Sequence, residues 1–328
     1  MKLAAYLGGL LGIALLTALV VHSDVSGLLQ TALRGGWPVL LLIPYRTVYF
    51  FFYAAGWYIL LRPYDSARQA GMSYLLWVTT VREAIDRLLP VASVGGAVAG
   101  VRLLGWRGVP TASAAATVII EILLTLIASW SFAVLGVVLL MSVDAAAADY
   151  QRVILALLLS VPIPLVLARM LGSGSLFGRL QRLIVRFAGV RTPPAGAATL
   201  DSALRSSLQH RNSLVAAGAL QLAALASGSL EIWFALRLFG HPVGFAAALI
   251  LESMIQAFRH VAFMVPASLG VQETVLVVFG HILGVGPETA IAVSLVKRLR
   301  EVVYGVGSLV SWQWMEGRRL RATAQNES

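Results

Sequence analysis

The sequence predicts an all-α polytopic membrane protein with about six full spans plus two broken or re-entrant helical hairpins in a pseudo-inverted repeat. Three observations carry this. Hydrophobic residues make up 59% of the 328 positions and charged residues 12%, and the mean hydropathy is +0.83, far above the balance of a soluble domain. Apolar runs of about 20 residues, the helical length that crosses a ~30 Å hydrocarbon core, recur along the chain. Two further apolar regions are interrupted near their centres by closely similar stretches, "LLPVASVGG" at 88–96 and "FMVPASLGVQE" at 263–273.

Taken in order, the first run is 3–22. It follows Lys2 and ends in "VVHSDVSG" without a small-x-small cleavage site, so it reads as an uncleaved span rather than a signal peptide. Further spans fall at 37–61, 112–140, 152–170, 212–236 and 288–314. The regions 70–104 and 243–283 are each broken by proline and glycine, and each holds two short helices joined by a turn. Such a pair either enters the membrane and returns or makes two tilted crossings.

Between 175 and 191, Leu176, Phe177, Leu180, Leu183, Ile184 and Phe187 share one helix face while Arg179, Arg182 and Arg186 share another. That is the pattern of an interfacial helix at anionic headgroups; a helix covering the cytoplasmic end of the bundle is the alternative. "RTPPAGAA" beyond it reads as loop. No soluble domain fits. The chain is expected to form one integral membrane domain over 1–328, with approximate inverted halves 1–171 and 212–316. A basic segment, 172–211, joins the halves, and a cytoplasmic tail covers 317–328.

Charge sets the orientation. Lys+Arg 25 against Asp+Glu 15 leaves a net +10, but the arginines gather at span ends and in one loop with no interleaved stacking aromatics, which excludes a nucleic-acid groove. The loop carries Arg179, Arg182, Arg186, Arg191, Arg205 and Arg211 against Asp201, and the tail adds Arg318, Arg319 and Arg321. Both are expected in the cytoplasm, and the loop holding Asp144 and Asp149 outside. The first broken region then opens from the cytoplasm, near Arg68 and Arg107. The second opens from the other face, near His241 and Pro287, as in carriers built from inverted repeats.

Enzymatic chemistry has little support. Cysteine is absent, and His22, His210, His241, His260 and His281 lack metal-ligand spacing. There is no G-x-S-x-G elbow and no phosphate-cradling loop. Catalytic residues, metals and cofactors are therefore not expected.

Ionisable residues inside spans cost several kcal/mol each unless they are paired or hydrated, so they mark candidate sites. Arg46 lies in the second span beside Pro44, and Glu121 lies about three turns into "TASAAATVIIEILLTL". "VREAIDRLLP" pairs Arg82 with Asp86 and Glu83 with Arg87 at i,i+4. "SLVKRLREVVYG" sets Lys297, Arg298, Arg300 and Glu301 at the centre of the last span, too deep for all of them to reach one interface. Glu252, Glu273 and Glu121 are their candidate anionic partners; a phosphate or carboxylate headgroup is the functional alternative. Arg259 precedes His260, a candidate proton relay. At the breaks, Pro90, Gly95 and Gly96, and then Pro266 and Gly270, free backbone groups that only protein or a wet cavity can satisfy at this depth. The half-helices that follow offer N-termini to an anion.

"RLLPVASVGG", "MVPASLGVQE" and "VKRLREVVYGVGSL" together resemble the lysylphosphatidylglycerol synthase transmembrane-region family. More narrowly, they resemble its stand-alone, hopanoid-associated HpnL type. The family's P-x-x-x-G-x-x-E and last-span arginine are met by Pro266, Gly270, Glu273 and Arg298. The resemblance implies a multi-pass bacterial inner-membrane protein whose larger relatives use this region to move a modified phospholipid across the bilayer. A separate domain attaches the amino acid in those relatives. Here the chain ends at Ser328 soon after its last span, so aminoacyl transfer is not expected. Family members often carry an acid after the first glycine pair, where this chain has Ala97.

The function expected is flippase- or scramblase-like translocation of a hopanoid or anionic phospholipid, with Arg46, Arg298 and Arg300 at the headgroup. The partners are membrane lipids and not nucleic acid; a second copy of the chain and hopanoid biosynthesis enzymes stay open as further partners. The rivals are a lipid-modifying membrane enzyme using Glu252, His260 and Glu273, and a scaffold for biosynthetic enzymes.

Overall fold

The computed structural model describes residues 35–65, 68–88, 95–143, 197–261 and 270–326. Among these residues the regular structure is helical and contains no strand. A 3-10 turn at Trp37–Leu41 leads into α1, Leu42–Leu61. There follow α2 (Met72–Leu88), α3 (Gly95–Gly105), α4 (Thr111–Val143), α5 (Ala197–Gln209), α6 (Arg211–Leu238), α7 (Phe245–Val261), α8 (Val271–Ile282) and α9 (Pro287–Asn326).

The long helices match the apolar runs. Trp37–Leu61, Thr111–Val143 and Arg211–Leu238 are long and apolar enough to cross a membrane. The 33 residues of α4 contain no proline and extend about 50 Å at 1.5 Å per residue. Its large exposed side chains, among them Ile122, Leu135, Val138 and Met141, are those that lipid would cover. Both broken regions are pairs of short helices, α2 with α3 and α7 with α8, as their proline and glycine content predicts. The expected spans 3–22 and 152–170, the amphipathic stretch 175–191, and Pro90 and Pro266 lie outside the described residues.

Two elements differ from expectation. Within the basic segment a helix is expected at 175–191 alone, yet 197–209 forms α5. Its Ala203 and Leu204 are buried with Leu60, Ala116, Ile120 and Ala217, while Leu200 and Leu208 pack against the same core. The Tyr64 hydroxyl donates to the Ala203 carbonyl at 3.0 Å and shares a hydrogen bond with the Ser207 hydroxyl at 2.6 Å. The other difference is α9, which runs on through the supposed tail to Asn326. Beyond Trp314 the sequence has no proline and one glycine, and its Arg, Leu and Ala residues favour helix.

Two compact units divide the chain. One takes the described residues within Met1–Thr47, Trp77–Ala99 and Gly228–Ser328, the other those within Val48–Leu76 and Gly100–Ser227. The second is built on the α4–α5 packing. In the first, α7 packs on α8 and α8 on α9, with Phe258 and Phe279 meeting at 5.9 Å between ring centroids. Gly240, at φ 79, lets the chain leave α6 in a left-handed turn. The Trp233 indole then fastens the next segment by donating to the Val243 carbonyl at 3.1 Å. Residues flanking both breaks belong to this unit, and so does the candidate site.

Candidate functional site

Residues 252, 256 and 259 recur at i, i+4 and i+7, so α7 presents Glu252, Gln256 and Arg259 on one face. The first half of α9 supplies Ser294, Lys297, Arg298 and Glu301. Lys297 Nζ donates to Glu252 Oε2 at 2.6 Å, and Gln256 Nε2 donates to the other carboxylate oxygen at 2.8 Å. Arg259 Nη2 donates to Glu301 Oε1 at 2.8 Å and to Gln272 Oε1.

From the first turn of α8, Glu273 receives Arg298 as a fork, Nε at 2.9 Å and Nη2 at 3.3 Å. Arg298 Nη1 reaches on to Glu301 at 2.9 Å. Ser294 Oγ donates to Glu273 at 3.0 Å and accepts from Gln272 Nε2 at 3.1 Å. On another side of α9, Arg300 pairs with Glu231 of α6, and both side chains are almost wholly buried.

α2 brings a second group to the same network. Arg46 Nη2 lies 3.5 Å from Glu83, and Arg87 Nε donates to the same carboxylate at 3.0 Å. Arg87 is also within electrostatic range of Glu301, Arg259 and Arg298. Arg46 is held in place because α9 docks on the start of α1: the Tyr304 and Thr47 hydroxyls share a 2.6 Å hydrogen bond. Near the first break, Asp86 Oδ1 accepts the Gly96 N–H at 2.9 Å.

The structure thus gathers Arg46, Arg82, Arg87, Gly95, Gly96, Glu252, Arg259, Gly270, Glu273, Lys297, Arg298, Arg300 and Glu301 into one unit. Glu121 is not among them. It is buried in the other unit, where Gln221 Nε2 donates to its backbone carbonyl at 3.2 Å. Pro90, Pro266 and the His260 side chain lie outside the described residues.

Sequence reasoning missed Glu231, which is the partner of Arg300, and the amides Gln256 and Gln272. Glu231 carried the signal used for Glu121, a lone acid within an apolar span. A buried glutamine has no such mark, because its role depends on the helix across from it.

The half-helix N-termini also differ from the anion sites expected of them. Asp86 already holds the Gly96 N–H. At the second break, Gly270 caps α8 in the left-handed region at φ 76, and Glu273 occupies the first turn. At the first break the N-terminus thus carries a carboxylate, whereas at the second no side chain caps α8 and Glu273 turns to Arg298 and Ser294. Within the network, Nε of Arg259 and Nε of Arg300 are buried and make no hydrogen bond to the described residues.

Long apolar helices, a broken hairpin and a buried network of opposite charges define an all-α integral membrane protein with a polar site inside its helical bundle. A profile of the lysylphosphatidylglycerol synthase TM region matches residues 6–307, nearly the whole chain, and the protein belongs to that family. The family takes its name from a lipid-forming protein, which ties this chain to lipid-related function in the membrane. No curated protein and no solved structure gives a match.

Proposed function

We propose that the protein translocates an amphiphilic lipid with an anionic headgroup, a hopanoid or an anionic phospholipid, between the leaflets of a bacterial inner membrane. Its C-terminus would be cytoplasmic. One observation carries the reading: among the described residues, the network around the broken helices has an excess of one positive charge. Arg46, Arg82, Arg87, Arg259, Lys297, Arg298 and Arg300 face Glu83, Asp86, Glu231, Glu252, Glu273 and Glu301, seven basic groups against six acidic ones. An unbalanced charge at such depth is costly, and a bound anion removes the cost.

Arg298 is the leading headgroup contact. Its side chain is 16% exposed, whereas Lys297 and Arg300 are 3% and 1% exposed. Its planar fork also suits a phosphate or carboxylate. Arg46 and Arg300 hold the surrounding acids and keep the site charged. The lipid tail would remain in the bilayer, and the hopanoid assignment follows from resemblance to the stand-alone HpnL type.

The test is translocation of fluorescent phosphatidylglycerol in vesicles containing purified protein. Scrambling by the native chain that falls at least about tenfold in Arg298→Ala, with the lipid chemically unchanged, supports transport. A covalently altered lipid would point to an enzyme. Inert vesicles together with a co-purifying biosynthetic enzyme would point to a scaffold.

A further inference from the structure

Arginine supplies almost every positive charge in this chain. Of the 25 basic residues two are lysines, Lys2 and Lys297, and the second lies at the centre of the buried network. The difference is chemical: guanidinium stays protonated under all ordinary conditions, while a buried lysine amine can give up its proton.

The acids divide in the same way. Glu83, Glu231, Glu273 and Glu301 each meet a guanidinium, whereas Glu252 is held by Lys297 at 2.6 Å and by the Gln256 amide at 2.8 Å. The pair is dry and closely confined, with side chains 3% and 2% exposed. Gly228 of α6 backs onto it so tightly that a Cβ there would lie 2.8 Å from Glu252 Oε1. The charged groups facing the pair are Glu231 from α6, Arg300 from α9 itself and Arg259 from α7.

We propose that Lys297, seated on Glu252, is a proton-binding site that couples the cycle to a proton gradient. The inference rests on the translocation reading for its cargo, and charge balance supplies the link. With Lys297 protonated the network has one positive charge in excess and accepts an anionic headgroup. With Lys297 neutral the excess is gone and the headgroup is released. A proton and an anionic lipid then travel together as an electrically neutral load, from the acidic side to the alkaline side. The arginines keep their charge throughout and hold the site open to an anion.

The scarcity of lysine makes the site directly observable. Protein labelled with 13C and 15N at the lysine side chain has two signals, and Lys2→Arg assigns the remaining one to Lys297. Loss of the Lys297 proton at a lower pH than the ordinary lysine value of about 10.4 is the expected result. An ammonium signal that persists through about pH 10 overturns the proposal whether or not lipid moves.

In vesicles of phosphatidylethanolamine and phosphatidylglycerol, a gradient of one pH unit should drive labelled phosphatidylglycerol to about a tenfold leaflet ratio if one proton moves with each lipid. Lys297→Arg, with its fixed charge, should return that ratio to about one. Native protein that moves lipid without regard to the gradient also overturns proton coupling. Native protein that moves no lipid refutes the transport reading itself, and the titration then decides the proton site alone.

Discussion

A buried guanidinium that leans on a single carboxylate depends on that partner. Arg300 is 1% exposed, its Nε makes no hydrogen bond to the described residues, and Glu231 is 2% exposed. Removing the carboxylate leaves a buried charge whose other acidic neighbours, Glu252 and Glu301, already hold Lys297 and Arg259. Glu231→Gln is therefore expected to destabilise the protein by about 3–5 kcal/mol, the usual cost of breaking a buried pair from one side, measured by unfolding in detergent. Replacing both partners with apolar residues of similar size, Glu231→Leu with Arg300→Met, should recover most of that loss. A double variant as unstable as the single one would show that Arg300 matters for more than its pairing with Glu231. At this scale the charged cluster at 297–301 was legible, because no lipid-facing helix tolerates four ionisable residues together. Glu252 and Glu273 were legible as its partners. The pairings themselves were not, since which acid meets which base depends on the rotation of four helices about their axes, and Glu231 escaped notice as a lone acid in an otherwise ordinary span.

Helix ends were legible wherever a local breaker marks them. The expected spans 37–61, 112–140 and 212–236 compare with Trp37–Leu61, Thr111–Val143 and Arg211–Leu238, because Pro110, Gly108 and Gly240 stop the chain irrespective of tertiary context. α5 was missed because a net-charge reading of the basic segment hid the Leu200, Leu204 and Leu208 stripe at i,i+4 spacing. The continuation of α9 was missed because polarity was taken as the end of helix rather than the end of membrane. Packing between elements has its own test in two glycines. A Cβ at Gly96 would come within 2.5 Å of both the Arg82 carbonyl oxygen and Asp86 Oδ2, while one at Gly56 would lie 3.4 Å from the nearest atom, the Ala217 carbonyl oxygen. Backbone cannot withdraw as a side chain can, so Gly96→Ala should separate α2 from α3 and cost about 1–3 kcal/mol. Gly56→Ala, in mid-helix with ordinary contacts, should be neutral or gain up to about 1 kcal/mol. Thermal unfolding of the two variants side by side reads the difference, and equal effects would mean that the α2–α3 contact is not tightly constrained.

For the molecule as a whole, the shared Pro, Ala, Ser and Gly of the two breaks carry less weight than orientation does, because such residues recur in any membrane hairpin. Orientation carries more, because arginine on a loop resists translocation whatever the fold. If 172–211 is cytoplasmic and 144–149 external, α4 and α6 both run outward through the bilayer, and the two broken hairpins open from opposite faces. An exchange of access between those faces is what a carrier needs. The absence of native cysteine makes this directly testable. Single cysteines at Ser66, Ser142, Ser206 and Ser328 report four points of the path. Ser142 sits exposed in the last turn of α4, its hydroxyl bonded to the Leu139 carbonyl, and Ser206 lies on the polar side of α5, so neither substitution disturbs a core. A membrane-impermeant maleimide applied from outside should label Ser142→Cys alone, and the other three should react once the membrane is opened. Labelling of Ser206→Cys from outside would reverse the basic segment, place both hairpins differently and remove the basis for alternating access, while leaving the buried network of α6, α7, α8 and α9 as it stands.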